Sequence, residues 1–155
     1  LVKIRSERIT FLKVGSFTAA QKTLAAELGV EDRLVEILNP PDTDLAGLYS
    51  LADLLVQPSR KEGFGFTVLE ALACGTPVLV SRGTSLTEIA GKVGEDVDGQ
   101  DLEEVVQKIY EILFNYNFLI HPTREQMRHQ AEKFTWKRTA EETLRVYEEL
   151  FSSRL

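Results

Sequence analysis

Four times between Ile9 and Gly91 a short apolar run gives way to a stretch patterned as a helix, and this alternation leaves the chain few architectures. The first pair is "ITFLKVG" (9–15) and "TAAQKTLAAELG" (18–29), whose Gly29 suits the position just past a helix end. "LVEIL" (34–38), a turn-forming "NPPDTD" and "LAGLYSLA" make the second. "DLLVQPS" (53–59) with "FTVLEALACG" makes the third, and "PVLVS" (77–81) with "SLTEIAG" (85–91) the fourth. Short apolar strands alternating with helices predict the α/β class: a Rossmann-like open parallel sheet with helices on both faces, joined by right-handed crossovers.

The rest reads as helix. "DLEEVVQKIYEILF" (101–114) carries an acidic, solvated face, "TREQMRHQAEKF" (123–134) is polar, and a last helix starts at Thr135. In that helix Trp136, Ala140, Leu144, Tyr147 and Phe151 recur at helical spacing, which predicts packing by one face with Trp136 in a core; the same stripe would equally dock a missing domain. No Gly/Ser linker interrupts the chain. Its 155 residues, 43% of them hydrophobic, are read as a single domain. The chain starts on Leu1 and enters a strand-like run almost at once, so it is expected to be a piece of a longer protein.

Charge narrows the partners. Twenty-four acidic residues against eighteen basic ones give a net charge of -6, and the basic residues are scattered, so no nucleic-acid footprint is present and a phosphate ligand would need local donors. No apolar run approaches the roughly 18 residues of a membrane span, and the start lacks a signal-peptide layout. The single cysteine, Cys74, sits in an apolar helical pattern and reads as a small core residue in a reducing compartment. The chain therefore reads as soluble and cytoplasmic.

In an open parallel sheet, ligands bind beyond the carboxyl ends of the strands, which directs attention to the loops after Gly15, Leu38, Gln57 and Ser81. After Gln57 comes "EGFGFTVLE" (62–70). Gly63 and Gly65 permit close backbone approach, and a helix is predicted to begin near Phe66 or Thr67, its unpaired N–H groups and dipole favouring an anion such as a diphosphate. A carboxylate beside an anion is unfavourable, so Glu62 suits sugar hydroxyls, and Glu70, one turn into the helix, suits the vicinal hydroxyls of a ribose. "TVLE" (67–70) is also a capping box, with Thr67 as cap and Glu70 reaching back. Spacing alone leaves Glu70 level between these roles and favours an exposed surface acid at Glu62.

Other chemistry has little support. "DTD" (42–44) matches a metal-holding D-x-D, but it stands before an amphipathic helix, where acidic residues serve the cap and first turn. His121 and His129 lack a third ligand at useful spacing and read as surface residues. Ser59, Ser81 and Ser85 have no nucleophile-elbow context, and Cys74 has no basic partner in sequence.

The stretch "PSRKEGFGFTVLEALACGTPVLVS" resembles the donor-site motif of retaining glycosyltransferases of the GT-B fold, the glycosyltransferase family 4 group. Two glutamates separated by seven residues, "EALACGTPV" after the second and "LYSLADLLVQPS" upstream agree in order and spacing, and "FTWKRTAEETLRVYEEL" is similar to the family's closing helix. The resemblance implies that Glu62, as the catalytic-site acid, and the backbone of Gly63, Phe64 and Gly65 hold the transferred sugar. It implies that N–H groups near Phe66, Thr67 and Val68 meet the diphosphate, that Glu70 binds the ribose, and that the loop with Leu38 and Asn39 lies near the base. The implied substrate is a nucleoside-diphosphate sugar, with no cofactor and no metal.

By the same resemblance the acceptor, a sugar, glycan or lipid, is held by a missing N-terminal domain, through which the protein would sit at a membrane surface. The sequence departs from the family in two places. A leading βα segment bearing an Arg and a Lys that clamp the diphosphate is absent, for which Arg5, Lys13, Arg60 or Lys61 would only partly substitute. "KVGEDVDGQD" (92–101) replaces a more apolar strand, predicting an irregular sheet edge. The isolated chain is expected to transfer no sugar. The rival expectations are a non-catalytic α/β module of the same fold and a nucleotide-sugar epimerase.

Overall fold

The computed structural model describes residues 9–115 and 122–152. They fall into two compact units that divide between Leu48 and Tyr49.

In the first unit β1 (Phe11–Val14) pairs in parallel with β2 (Leu34–Ile37), Phe11 opposite Leu34 and Val14 opposite Ile37. Helix α1 (Ala19–Leu28) joins them. Its ends are written in the sequence: Thr18 and Gln21 form a reciprocal capping box, and Gly29 closes the helix at φ 63°. Glu36 on β2 accepts from the Phe17 N–H and pairs with Lys22 at 3.1 Å. The Phe17 N–H, followed by Lys22, holds the Glu36 carboxyl below its usual range. Helix α2 (Asp42–Leu51) begins with Asp42 and Asp44 in its first turn, where the helix dipole favours acids.

The second unit is built on β3 (Leu55–Gln57), β4 (Val78–Ser81) and β5 (Glu95–Val97), a parallel sheet in the order β3-β4-β5. Its helices are α3 (Phe66–Cys74), α4 (Ser85–Ala90), α5 (Leu102–Phe114), α6 (Arg124–Ala131) and α7 (Trp136–Ser152). All four residues of β4 are buried, as a central strand covered on both faces requires. Alternation along it separates two cores. Val78 and Val80 pack with Val68, Ala71 and Leu72 of α3, Leu86 and Ile89 of α4, and Met127 of α6. Leu79, on the opposite face, packs with Val97, Val105 and Ile112. Parallel strands flanked by helices are thus the architecture that the alternation predicts, with the strands shared between two sheets.

Three expectations need correction. The edge at 92–101 is regular: Glu95, Asp96 and Val97 pair with Leu79, Val80 and Ser81. Polar residues are tolerated there because only Val97 is buried, while Glu95 meets Lys108 at 3.5 Å and Asp96 meets Arg82 at 2.5 Å. The α7 stripe is not buried: Trp136 is 77% exposed and Phe151 79%, with Leu144 and Tyr147 exposed as well. The helix is instead supported locally, by Thr135 accepting from the Arg138 N–H and by i,i+4 pairs such as Arg138–Glu142 at 2.8 Å. Cys74 is half-buried at the end of α3 rather than set in the core.

Arg82 ties the end of β4 to its neighbours, reaching Glu104 at 2.7 Å as well as Asp96. Arg82, followed by the Asp98 N–H, holds the Glu104 carboxyl below its ordinary value of 4.5. A depressed carboxylate contributes stability that is present above the unfolded value and lost as pH falls through the folded one. Melting temperatures measured between about pH 3 and pH 7 are expected to fall on the acid side, and less steeply for Glu104→Gln. Identical acid slopes for both proteins would contradict this assignment.

Candidate functional site

The residues singled out in the glycine loop gather beyond the carboxyl ends of β3 and β4. After β3, the Gln57 side-chain amide donates to the Ser59 hydroxyl at 2.8 Å and to Glu62 Oε2 at 3.4 Å. The Glu62 carbonyl accepts from the Ser85 hydroxyl at 3.3 Å, so α4 holds the loop from the other side. Glu62 is half-buried and Gly63 exposed. Gly65 carries the constraint of the loop. Its φ is 115°, and a Cβ there would lie 2.5 Å from Leu86 Cδ2 and 3.1 Å from Ile89 Cδ1. No side chain fits, so the backbone settles onto α4 and turns directly into α3.

That turn removes the capping box. Gly65 itself is the N-cap residue of α3, with no side-chain cap, and Thr67 lies inside the first turn. Among the described residues the N–H groups of Phe66 and Thr67 have no acceptor, as expected of a helix start. Val68 departs from the expected anion-facing set: it is fully buried, and its N–H donates to the Gly65 carbonyl at 3.1 Å. Glu70 does not reach back either. It is exposed on α3, where its Oε2 accepts from the Tyr49 hydroxyl at 2.8 Å. Burial, and then Glu70, push the Tyr49 phenol well above its ordinary range.

The two flanking aromatics are open. Phe64 and Phe66 are 4.9 Å apart between ring centroids, Phe64 meets Phe134 edge-on at 6.1 Å, and Phe66 lies 6.2 Å from Trp136. Across the loop, Gly99 approaches so closely that a Cβ would sit 2.5 Å from Ser81 Oγ. That buried hydroxyl has no hydrogen-bond partner among the described residues.

Leu38 and Asn39 belong to the first unit, where they follow β2; Asn39 adopts a positive φ of 47°. Lys13, also in that unit, lies near Gln21 and over the Phe17 ring. His129 is exposed beside Glu132, while His121 and Arg5 lie outside the described residues. No group of three or more His, Cys, Asp and Glu residues capable of holding a metal occurs among the described residues. Among them, too, no helix is long and apolar enough to cross a membrane.

Sequence reasoning missed Tyr49 and Gln57, the two side chains that fix the glutamates. Tyr49 reads in the sequence as one more apolar residue of "LYSLA", and Gln57 as the end of a strand. Tyr49 meets Glu70 across 21 positions, a contact that only the approach of α2 to α3 reveals, whereas Gln57 meets Glu62 five positions on through the turn of the loop between them.

Comparison with known proteins bears on the same segment. Residues 3–134 match the family model described as glycosyl transferases group 1. The chain is 38% identical over 130 residues to the D-inositol 3-phosphate glycosyltransferase of Corynebacterium jeikeium strain K411, covering 82% of this chain and 30% of that protein. It is 36% identical over 107 residues to the O-antigen chain mannosyltransferase B of Escherichia coli, covering 69% of this chain and 28% of that one. In structure it is similar to a glycosyltransferase from Rickettsia africae ESF-5, with a TM-score of 0.77 at 25% identity over 92% of this chain and 40% of the other. A sucrose-phosphate synthase from Thermosynechococcus elongatus gives a TM-score of 0.73 at 26% identity, covering 92% of this chain and 38% of that protein. The chain thus spans less than a third of the length of these sequence relatives. With the family model matching most of its residues, the chain belongs to the group 1 glycosyl transferases, a family of the GT-B type.

Proposed function

We propose that this chain is the donor-binding part of a retaining glycosyltransferase, which moves a hexose from a nucleoside-diphosphate sugar to an acceptor held by a separate N-terminal domain. One observation carries the reading: an exposed carboxylate, Glu70, stands one turn into a helix whose first N–H groups at Phe66 and Thr67 have no acceptor among the described residues, immediately after a loop that holds Glu62. Those donors and the α3 dipole suit a diphosphate, while the two carboxylates suit hydroxyls on either side of it.

In this reading the departing diphosphate gains its negative charge facing fixed N–H dipoles, which need no reorganisation as the glycosidic bond breaks. Glu62, steadied by Gln57, accepts from sugar hydroxyls, and the backbone of Gly63, Phe64 and Gly65 lies along the sugar. Glu70 takes the ribose. The N–H dipoles at the start of α3 take the role that a metal plays elsewhere, so chelation should leave donor binding unchanged. The relatives' names, a mannosyltransferase among them, support a sugar of the hexose class. The isolated chain is proposed to bind donor without transferring it.

The test is an amide-shift and calorimetric titration with UDP, GDP and ADP and their glucose or mannose conjugates. Binding of one nucleotide, with shifts clustered on residues 62–70, is the expected result; no binding at millimolar ligand would overturn the reading. Glu70→Gln provides a second check. Glutamine still offers an oxygen to the Tyr49 hydroxyl, so stability should hardly move, while nucleotide affinity should fall by about 1 kcal/mol or more. Unchanged affinity would count against the assignment.

A further inference from the structure

We infer that Tyr49 is a positioning residue for Glu70: its hydroxyl, 2.8 Å from Glu70 Oε2, orients the carboxylate toward a ribose. The inference rests on the reading of Glu70 as the ribose acceptor. An exposed glutamate on a helix surface ordinarily samples many rotamers, and ordering it on binding opposes affinity. Two vicinal hydroxyls are best met by a carboxylate already held in one orientation.

Tyr49 is built to supply that order. Its ring packs against the core cluster that contains Val68, Ala71 and Leu72. Its backbone carbonyl accepts from the fully buried Thr76 hydroxyl at 2.5 Å. The phenol is therefore fixed at both ends of its own residue before it meets Glu70. It donates to one carboxylate oxygen and leaves Oε1 for a ligand. As a neutral donor it adds no charge beside the bound phosphates. Its raised pKa keeps it a donor throughout the neutral range.

Tyr49→Phe removes the hydroxyl and keeps the ring, so the core contacts survive. The experiment is calorimetry on the full chain with whichever of UDP, GDP and ADP binds, paired with its 2′-deoxy counterpart, for wild type, Tyr49→Phe, Glu70→Gln and the double variant. Wild type should prefer the ribonucleotide. Tyr49→Phe should weaken the ribonucleotide about fivefold and leave the 2′-deoxynucleotide unchanged, and should add nothing in the Glu70→Gln background.

The failures separate. If Glu70→Gln abolishes the ribose preference and Tyr49→Phe leaves it intact, the positioning role is overturned and the ribose assignment stands. If Glu70→Gln leaves the preference intact, the ribose assignment fails and takes the positioning role with it. A Tyr49→Phe protein that melts earlier but keeps its ribose preference would make the contact a structural tether only, and equal weakening of both nucleotides would overturn positioning as well. Absence of binding by all three nucleotides would overturn both assignments.

Discussion

Gly65→Ala is expected to lower the stability of the second unit by about 2–6 kcal/mol, because a positive-φ backbone and an overpacked contact each cost on the order of 1–3 kcal/mol. The φ of 115° lies outside the small left-handed region that other residues tolerate, so the strain arises even without a neighbour. The neighbours make it worse. Leu86 is fully buried and Ile89 1% exposed, so neither can move aside without displacing the core they share with Val68 and Leu72. Urea unfolding followed by circular dichroism measures the loss, and Gly63→Ala is the internal control. Gly63 has open space where a Cβ would go and no positive φ, so its substitution should stay within about 0.5 kcal/mol of wild type. Equal stabilities for the two variants would contradict this account of the loop. The Gly65 variant that still folds should also bind nucleotide more weakly, since the start of α3 must shift.

Leu72→Ala is expected to cost about 2–5 kcal/mol, the range for a buried leucine whose cavity cannot collapse. Leu72 is fully buried on α3, in the cluster that also holds Val78 and Val80 of β4 and Met127 of α6. With β4, α4 and α6 packed against α3 in this cluster, relaxation into the space is opposed. The apolar strand residues of the first unit offer the comparison. Leu12 is 38% exposed and Val14 47%, so truncation of either to alanine should cost less than about 1 kcal/mol. The unfolding midpoint in urea at unchanged slope reads both effects. A Leu72 variant as stable as a Leu12 variant would mean that the second core does not hold this unit together.

Much of the fold was legible from local signals. The βα alternation marked β1 to β4, and Gly29 marked a helix end because a cap depends on neighbouring residues alone. β5 was harder to read, since Glu95 and Asp96 are stabilised by Lys108 and Arg82, residues more than ten positions away. The α7 stripe failed in the opposite direction. Periodicity reports which residues share a helix face, but not whether anything covers that face.

The candidate site divides the same way. Its loop chemistry, from Glu62 through Gly65 to Glu70, was present in the order of residues, because close backbone approach and a helix start are local properties. The capping box was equally written there, and packing decided against it: with no room for a Cβ at Gly65 the helix takes Gly65 as its N-cap, two residues ahead of Thr67, which leaves Glu70 to a different partner. By itself, then, the sequence determined the alternation of elements, most of their ends and the residues of the glycine loop. Tertiary structure alone decided that Tyr49 holds Glu70, since a hydrogen bond across 21 residues forms only after burial of the core has brought α2's last turn to α3.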